Sequence, residues 1–129
     1  MRVLALDYGA ARTGVAVSDA TGTIARPLGV VERAASPDGL EELRGLVREH
    51  GAERVVVGLP LTLRGERGEQ ARATEVFVSM LREALDVGVE TYDERFTTTL
   101  ATRGGGSAHE DARAAAHLLE SYLARTRTG

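Results

Sequence analysis

The chain has 129 residues, of which 43% are hydrophobic and 27% charged, a composition that fits one compact soluble domain covering residues 1–129. No apolar run approaches the roughly 20 residues needed to span a bilayer, and the N-terminus lacks a signal-peptide pattern, so we expect a cytoplasmic protein without a membrane segment. Cysteine is absent and all 16 basic residues are arginine at a formal net charge of −3, which excludes disulfides, thiolate chemistry, lysine-based phosphate loops and Schiff bases.

The first part of the chain predicts three short strands joined by turns. The strands fall at residues 2–7, 15–18 and 23–28, separated by a glycine-rich turn at 9–14 and a tight turn at 19–22. Two turns this close together indicate an antiparallel meander.

The rest of the chain alternates helices with strands. Ser36 and Pro37 have the pattern of an N-cap followed by proline at the first helical position, and Ser107 with Glu110 forms a capping box. In chain order the predicted elements are a helix ending at Gly51, a strand at 54–58, a long helix after Gly65 to Gly68, a strand at 87–93 and a helix reaching about Arg125. This order predicts an α/β fold with a mixed five-stranded sheet, an antiparallel meander plus parallel strands, flanked by helices.

Acidic side chains stand at the ends of three predicted elements. Asp7 closes an apolar strand, where a carboxylate is costly unless it is solvated, paired or bound to metal. One of Asp93 and Glu94, which close the last strand, should point along the same sheet edge, and alternation does not decide which. A turn-starting acid and a solvated strand end are the ordinary alternatives. Asp111 lies on the apolar stripe of the last helix with Leu119, whereas an acid that only complements the helix dipole normally lies on the solvent-exposed face.

Carboxylates gathered at one place repel one another, and divalent cations remove that penalty. Oxygen ligands of this type suit Mg²⁺ or Mn²⁺. Two such ions about 4 Å apart can activate a water and stabilise the leaving oxygen of a phosphodiester. The acidic set therefore predicts a metal-dependent nuclease that needs no nucleophilic side chain.

The same segments resemble the four motifs of the YqgF/RuvX family. The matching segments are Asp7 to Asp19, Val57 to Leu61 with Gly65 and Gly68, Asp93 to Thr98, and Asp111 to Tyr122. They occur in the family's order and span nearly the whole chain, so together they are highly specific.

This resemblance implies a ribonuclease H-like fold related to the RuvC resolvases. It also implies a cytoplasmic bacterial protein that processes the 5′ end of precursor 16S ribosomal RNA, and members have been described as Holliday-junction resolvases too. By position, Asp7, Glu94 and Asp111 would be the catalytic metal ligands, with Asp93 as a substitute for Glu94.

The chain departs from the family between the third motif and Asp111. Members usually carry more helix and a basic segment there, whereas this stretch is short and contains Gly104 to Gly106, which we expect to form a flexible joint. Because of this departure, we expect weaker binding of RNA or DNA near the site.

Four arginines are candidate contacts for nucleic-acid phosphates: Arg12, Arg64, Arg67 and Arg95. Arg64 and Arg67 lie in the glycine-rich segment from Gly58 to Gly68, a type of loop that can cradle phosphate at a helix N-terminus. Ordinary roles as solvated or turn residues remain open for all four. With three Tyr, two Phe and no Trp, single-strand readout by stacking looks poor, so structured RNA or branched DNA is the expected partner.

Two other functions remain open at this point. A nucleotide-binding domain of the actin and sugar-kinase type also begins with a strand, a glycine-rich turn and an aspartate, but normally needs two such domains. A non-catalytic ribosome-assembly factor would keep the fold and bind RNA passively, and the intact acidic set counts against it. The sequence does not choose between RNA and DNA, between end-wise and internal cleavage, or between monomer and homodimer.

Overall fold

A computed structural model describes residues 1–97 and 107–127 of the chain. The strands are β1 (Val3–Asp7), β2 (Arg12–Ser18), β3 (Ala25–Glu32), β4 (Arg54–Leu59) and β5 (Gly88–Asp93). The helices are α1 (Pro37–His50), α2 (Glu69–Ala84), the single-turn helix η1 (Glu94–Phe96) and α3 (Ala108–Arg127). The predicted joint at Gly104 to Gly106 lies outside the described residues.

All five strands form one mixed sheet in the order β3-β2-β1-β4-β5. β1 pairs antiparallel with β2 and parallel with β4, β2 pairs antiparallel with β3, and β4 pairs parallel with β5. The predicted meander with added parallel strands is therefore confirmed. Because β1 and β4 run parallel in the middle of the sheet, their carboxyl ends meet at one edge.

The sheet separates two hydrophobic layers. Alternate residues of β1 such as Leu4 and Leu6 face α1 and α2, where they pack with Leu43, Phe77 and Leu81. The intervening residues face α3, and its buried side chains there are Ala115, Ala116, Leu118, Leu119, Tyr122 and Leu123. One helix therefore covers one face of the sheet, and two helices cover the other.

The helix caps follow the sequence pattern. The Ser36 hydroxyl accepts a hydrogen bond from the Gly39 amide at 3.0 Å. At the start of α3, the Ser107 amide donates to the Glu110 carboxylate at 3.0 Å and the Glu110 amide donates to the Ser107 hydroxyl at 3.3 Å. Both predicted caps are confirmed, and the second one fixes where α3 begins.

Several predicted strand boundaries were wrong. β2 begins at Arg12 rather than residue 15, because its pairing with β3 continues to Arg12 opposite Glu32. β3 begins at Ala25 rather than residue 23, because the Asp19 side chain accepts hydrogen bonds from the amides of Thr23 and Ile24 and extends the turn.

No helix in the described part of the chain has the length and apolar character to cross a membrane.

Candidate metal and nucleic-acid site

Asp7 lies at the carboxyl end of the central strand, on the face of the sheet that α3 covers. Val3 and Ala5 belong to the hydrophobic layer beneath α3. Side chains alternate along a strand, so Asp7 points to the same face, and it is half-buried there. This placement aims a carboxylate at the space between the sheet edge and the beginning of α3.

Gly14 brings Asp111 to that space. It pairs with Asp7 across β1 and β2, and a Cβ at Gly14 would overlap the backbone carbonyl of Asp111. The first turn of α3 therefore lies against the strand neighbouring Asp7. The Asp111 side chain, 20% exposed, accepts an ion-paired hydrogen bond from Nε of Arg12 at 2.8 Å.

Gly58 brings Glu94 to the other side of Asp7. Leu6 pairs with Val57, so Gly58 is the next residue of β4 alongside Asp7. A Cβ at Gly58 would lie 2.6 Å from Oε2 of Glu94, which shows that this carboxylate lies over the glycine. Glycines on both flanking strands thus leave room for acidic residues beside Asp7.

Asp93 faces away from this arrangement. Tyr92 packs in the layer beneath α3. Because successive side chains of a strand point to opposite faces, Asp93 points to the other face of the sheet. Its carboxylate accepts hydrogen bonds from Nε and Nη2 of Arg95, the latter at 2.6 Å, and these bonds lower the pKa of Asp93. The structure therefore separates the two acids that alternation left open.

The side chains are not arranged as a finished metal centre. In residues 1–97 and 107–127, no three carboxylate or imidazole groups lie close enough together to hold a metal ion. Asp111 is turned toward Arg12 instead. The donor chemistry nevertheless fits a hard cation, because all three groups are carboxylates and the two glycines let Asp111 and Glu94 approach the strands beside Asp7.

The other candidate arginines have different surroundings. Arg67 donates to the Glu75 carboxylate at 2.7 Å, and Arg95 holds both Asp93 and the Leu63 carbonyl. Arg64 is exposed and makes no ion pair with another described residue. Arg12, Arg67 and Arg95 are thus each paired with a carboxylate, and Arg95 also holds neighbouring segments together.

One connection near the site carried no clear signal in the sequence. The Ser121 hydroxyl donates to the Phe96 carbonyl at 3.0 Å and lies 2.7 Å from the Tyr92 hydroxyl. The guanidinium carbon of Arg125 lies 3.7 Å from the centre of the Phe96 ring. These contacts fasten η1, which carries Glu94, to the second half of α3.

In the described residues, the sheet order with one long helix on one face and two on the other is that of a ribonuclease H-like fold. RuvC from T. thermophilus, solved with a Holliday junction substrate, superimposes with a TM-score of 0.64 at 18% identity, over 100% of this chain and 96% of RuvC. That likeness confirms the predicted fold.

Sequence comparison identifies the family within this class. Residues 1–125 match the family described as "RuvX: Holliday junction resolvase". A relative from Rubrobacter xylanophilus is 47% identical over 95% of this chain and 91% of its own length, and one from Chloroflexus aurantiacus is 43% identical over 94% and 85%. Both are named "Putative pre-16S rRNA nuclease". The chain belongs to the RuvX (YqgF) family, as its motifs predicted.

Proposed function

We propose that this protein is a nuclease that hydrolyses phosphodiester bonds with the help of Mg²⁺ or Mn²⁺. The observation that carries the proposal is the convergence of acidic residues from three separate elements around the end of β1. Asp7 ends that strand, Asp111 lies against one neighbouring strand, and Glu94 lies over the other. Membership of a family named for nuclease and resolvase activity supports the same chemistry.

In this proposal Asp7, Glu94 and Asp111 hold the metal ions. Bound divalent ions would neutralise the clustered carboxylates, activate water and stabilise the negative charge that develops on the phosphate. Asp111 would turn from Arg12 to the bound ion, and the Arg12 guanidinium beside it would then help to bind a substrate phosphate. Asp93 and Arg95 act together to hold the segment on which Glu94 lies.

Precursor 16S ribosomal RNA is the proposed substrate, since the curated relatives carry that name. Such an RNA is a cytoplasmic molecule in bacteria, and a cytoplasmic location is part of the same proposal. Branched DNA is the second candidate, because the family is described as a Holliday junction resolvase. Residues 1–129 would form one nuclease domain.

The test uses both substrates side by side. Purified protein with Mn²⁺ or Mg²⁺ should cleave a precursor 16S rRNA mimic or a four-way DNA junction, and chelation should stop the reaction. Asp7→Asn should abolish cleavage and weaken Mn²⁺ binding in calorimetry, while a cooperative unfolding transition of the metal-free variant should show that it is folded.

Glu83→Gln is the matched control, since Glu83 is an exposed acid on α2 outside the site. It should leave cleavage and metal binding unchanged. Full activity in Asp7→Asn would contradict the proposal. Cleavage of only one of the two substrates would assign the substrate class.

A further inference from the structure

Leu63 is displayed to solvent more completely than any other large hydrophobic side chain in the described residues. It is 94% exposed, compared with 64% for Ile24 and 63% for Val76. Single exposed apolar side chains are common on protein surfaces, so exposure alone says little about function. The position and the anchoring of Leu63 are what set it apart.

The turn that presents Leu63 is held by its own hydrogen bonds. The Gly65 amide donates to the Thr62 carbonyl at 2.8 Å, and the Thr62 amide donates to the Glu66 carbonyl at 3.0 Å. The Thr62 hydroxyl also accepts from the Glu66 amide at 3.0 Å. Gly65 has a φ of +82°, which favours glycine. Leu63 is therefore carried by a closed turn and not by a loose loop.

Arg95 connects this turn to the acidic site. Its Nη1 donates to the Leu63 carbonyl at 3.3 Å, while Nε and Nη2 hold the Asp93 carboxylate. Arg95 follows Glu94 directly in the chain, within η1. The backbone of Leu63 is thus fixed relative to the segment that carries a proposed metal ligand.

The neighbouring charge suits a nucleic acid. Arg64 follows Leu63 and is exposed, and the turn leaves the carboxyl end of β4, the same sheet edge at which Asp7 lies. A cation beside an apolar tip matches a surface made of phosphates outside and stacked bases within. Apolar side chains that enter between base steps unstack them and kink the duplex.

We propose that Leu63 is a wedge that enters between adjacent base pairs next to the cleaved phosphate and opens the stack there. This inference rests on the proposed nuclease function and deepens it, because it names stacked, base-paired nucleic acid as what the turn recognises. Leu63 would act on the shape of the substrate, whereas the carboxylates act on the phosphodiester.

The first test measures unstacking without cleavage. All proteins carry Asp7→Asn so that the nucleic acid stays intact, and the probe is 2-aminopurine in a base-paired segment of the rRNA mimic or next to the centre of a DNA junction. At saturating protein, the 2-aminopurine fluorescence should rise with the protein that keeps Leu63 and with the Leu63→Phe variant. The Leu63→Ala variant should lose more than about half of that rise, since the wedge provides the unstacking energy.

Val76→Ala removes another exposed apolar group, on α2, and is the matched control, which should keep the full rise. An equal rise with Leu63→Ala, or no rise with Leu63 present on either nucleic acid, would overturn the wedge. The two probes also distinguish RNA from DNA as the source of the stacked bases.

The second test compares an intact substrate with one opened beforehand by a mismatch at the same step. With otherwise wild-type protein, Leu63→Ala should slow cleavage of the paired substrate by about tenfold or more and of the mismatched one by less than about threefold, because an unpaired step needs little further opening. An equal loss on both substrates would contradict the wedge. Wild-type protein that cleaves neither would contradict the proposed nuclease, and the fluorescence test would then decide the wedge by itself.

Discussion

The backbone of Asp111 lies so close to Gly14 that a Cβ on the glycine would overlap the Asp111 carbonyl. Gly14 is also the residue that pairs with Asp7 across β1 and β2. Because Gly14 has no side chain, the first turn of α3 can lie close to β2 and to the end of the central strand.

Gly14→Ala should push the start of α3 away from the sheet. The obstacle is backbone, which has little freedom to move, so the free energy of unfolding should fall by about 1–3 kcal/mol, as in other overpacked interiors. Metal binding and cleavage should fall as well, because Asp111 moves with the helix. Urea unfolding and Mn²⁺ calorimetry measure the two effects.

Gly45→Ala is the control for that substitution. Gly45 lies in α1, is exposed, and has nothing near enough to contact an added Cβ. The free energy of unfolding should rise by about 0.5–1 kcal/mol, since alanine favours a helix interior over glycine. An equal change in the free energy of unfolding of the two alanine variants would show that the close approach of Gly14 and Asp111 does not affect stability.

Gly58→Ala should disturb the site more than the fold. The added Cβ would meet the end of the Glu94 side chain, 2.6 Å away, and a side chain can turn aside where a backbone cannot. We expect the free energy of unfolding to change by less than about 1.5 kcal/mol, the scale of a small, relieved steric change. Cleavage and Mn²⁺ affinity should fall together, and unchanged values of both would argue against Glu94 as a ligand.

Arg12→Gln should strengthen metal binding and weaken substrate binding. Arg12 and Asp111 are 34% and 20% exposed, so their ion pair contributes at most about 1 kcal/mol to stability. Without the guanidinium, Asp111 is available to Mn²⁺ and a nearby positive charge is gone. The variant should also lose about one phosphate contact, which lowers the slope of log binding constant against log salt concentration by about 1. Weaker Mn²⁺ binding in this variant would instead mean that Arg12 orients Asp111 as a ligand.

The ionised Asp19 carboxylate stabilises the folded protein, so the stability depends on pH. Hydrogen bonds from the Ile24 amide, the Thr21 hydroxyl and the Thr23 amide lower its pKa from 3.8 to about 2. A lowered folded-state pKa favours the folded protein above the unfolded value, and this contribution disappears as the pH falls from 3.8 through about 2. The difference in unfolding midpoint between wild type and Asp19→Asn should therefore shrink over that range. A difference that stays constant would mean that the turn does not depend on the ionised carboxylate.

Local patterns predicted much of the fold because their causes are local. The capping box of Ser107 and Glu110 and the N-cap at Ser36 each satisfy amides within the next turn. Alternation and apolar runs were enough to predict a mixed sheet. The boundaries of β2 and β3 depended on pairing between strands and on the reach of the Asp19 side chain, which no single segment encodes.

The choice between Asp93 and Glu94 shows where sequence reasoning stopped. Alternation predicted that the two side chains point to opposite faces of the sheet. Which face each one takes is set by the packing of Tyr92 beneath α3. The chain then turns into η1 at Glu94, and Arg95 holds Asp93 on the other side. The closeness of Asp111 to Gly14 likewise depends on how α3 docks, so the metal-ligand roles of these acids stay predictions.

The sheet face beneath α3 is made from strands that all precede α3 in the chain. Asp7 leaves the ribosome roughly a hundred residues ahead of Asp111, and a translating ribosome adds only about 5–20 residues each second. The proposed catalytic carboxylates therefore cannot assemble on a growing chain until α3 has emerged and docked. A nascent or C-terminally truncated chain would expose the apolar face of β1 to β3 and would carry no complete acidic set.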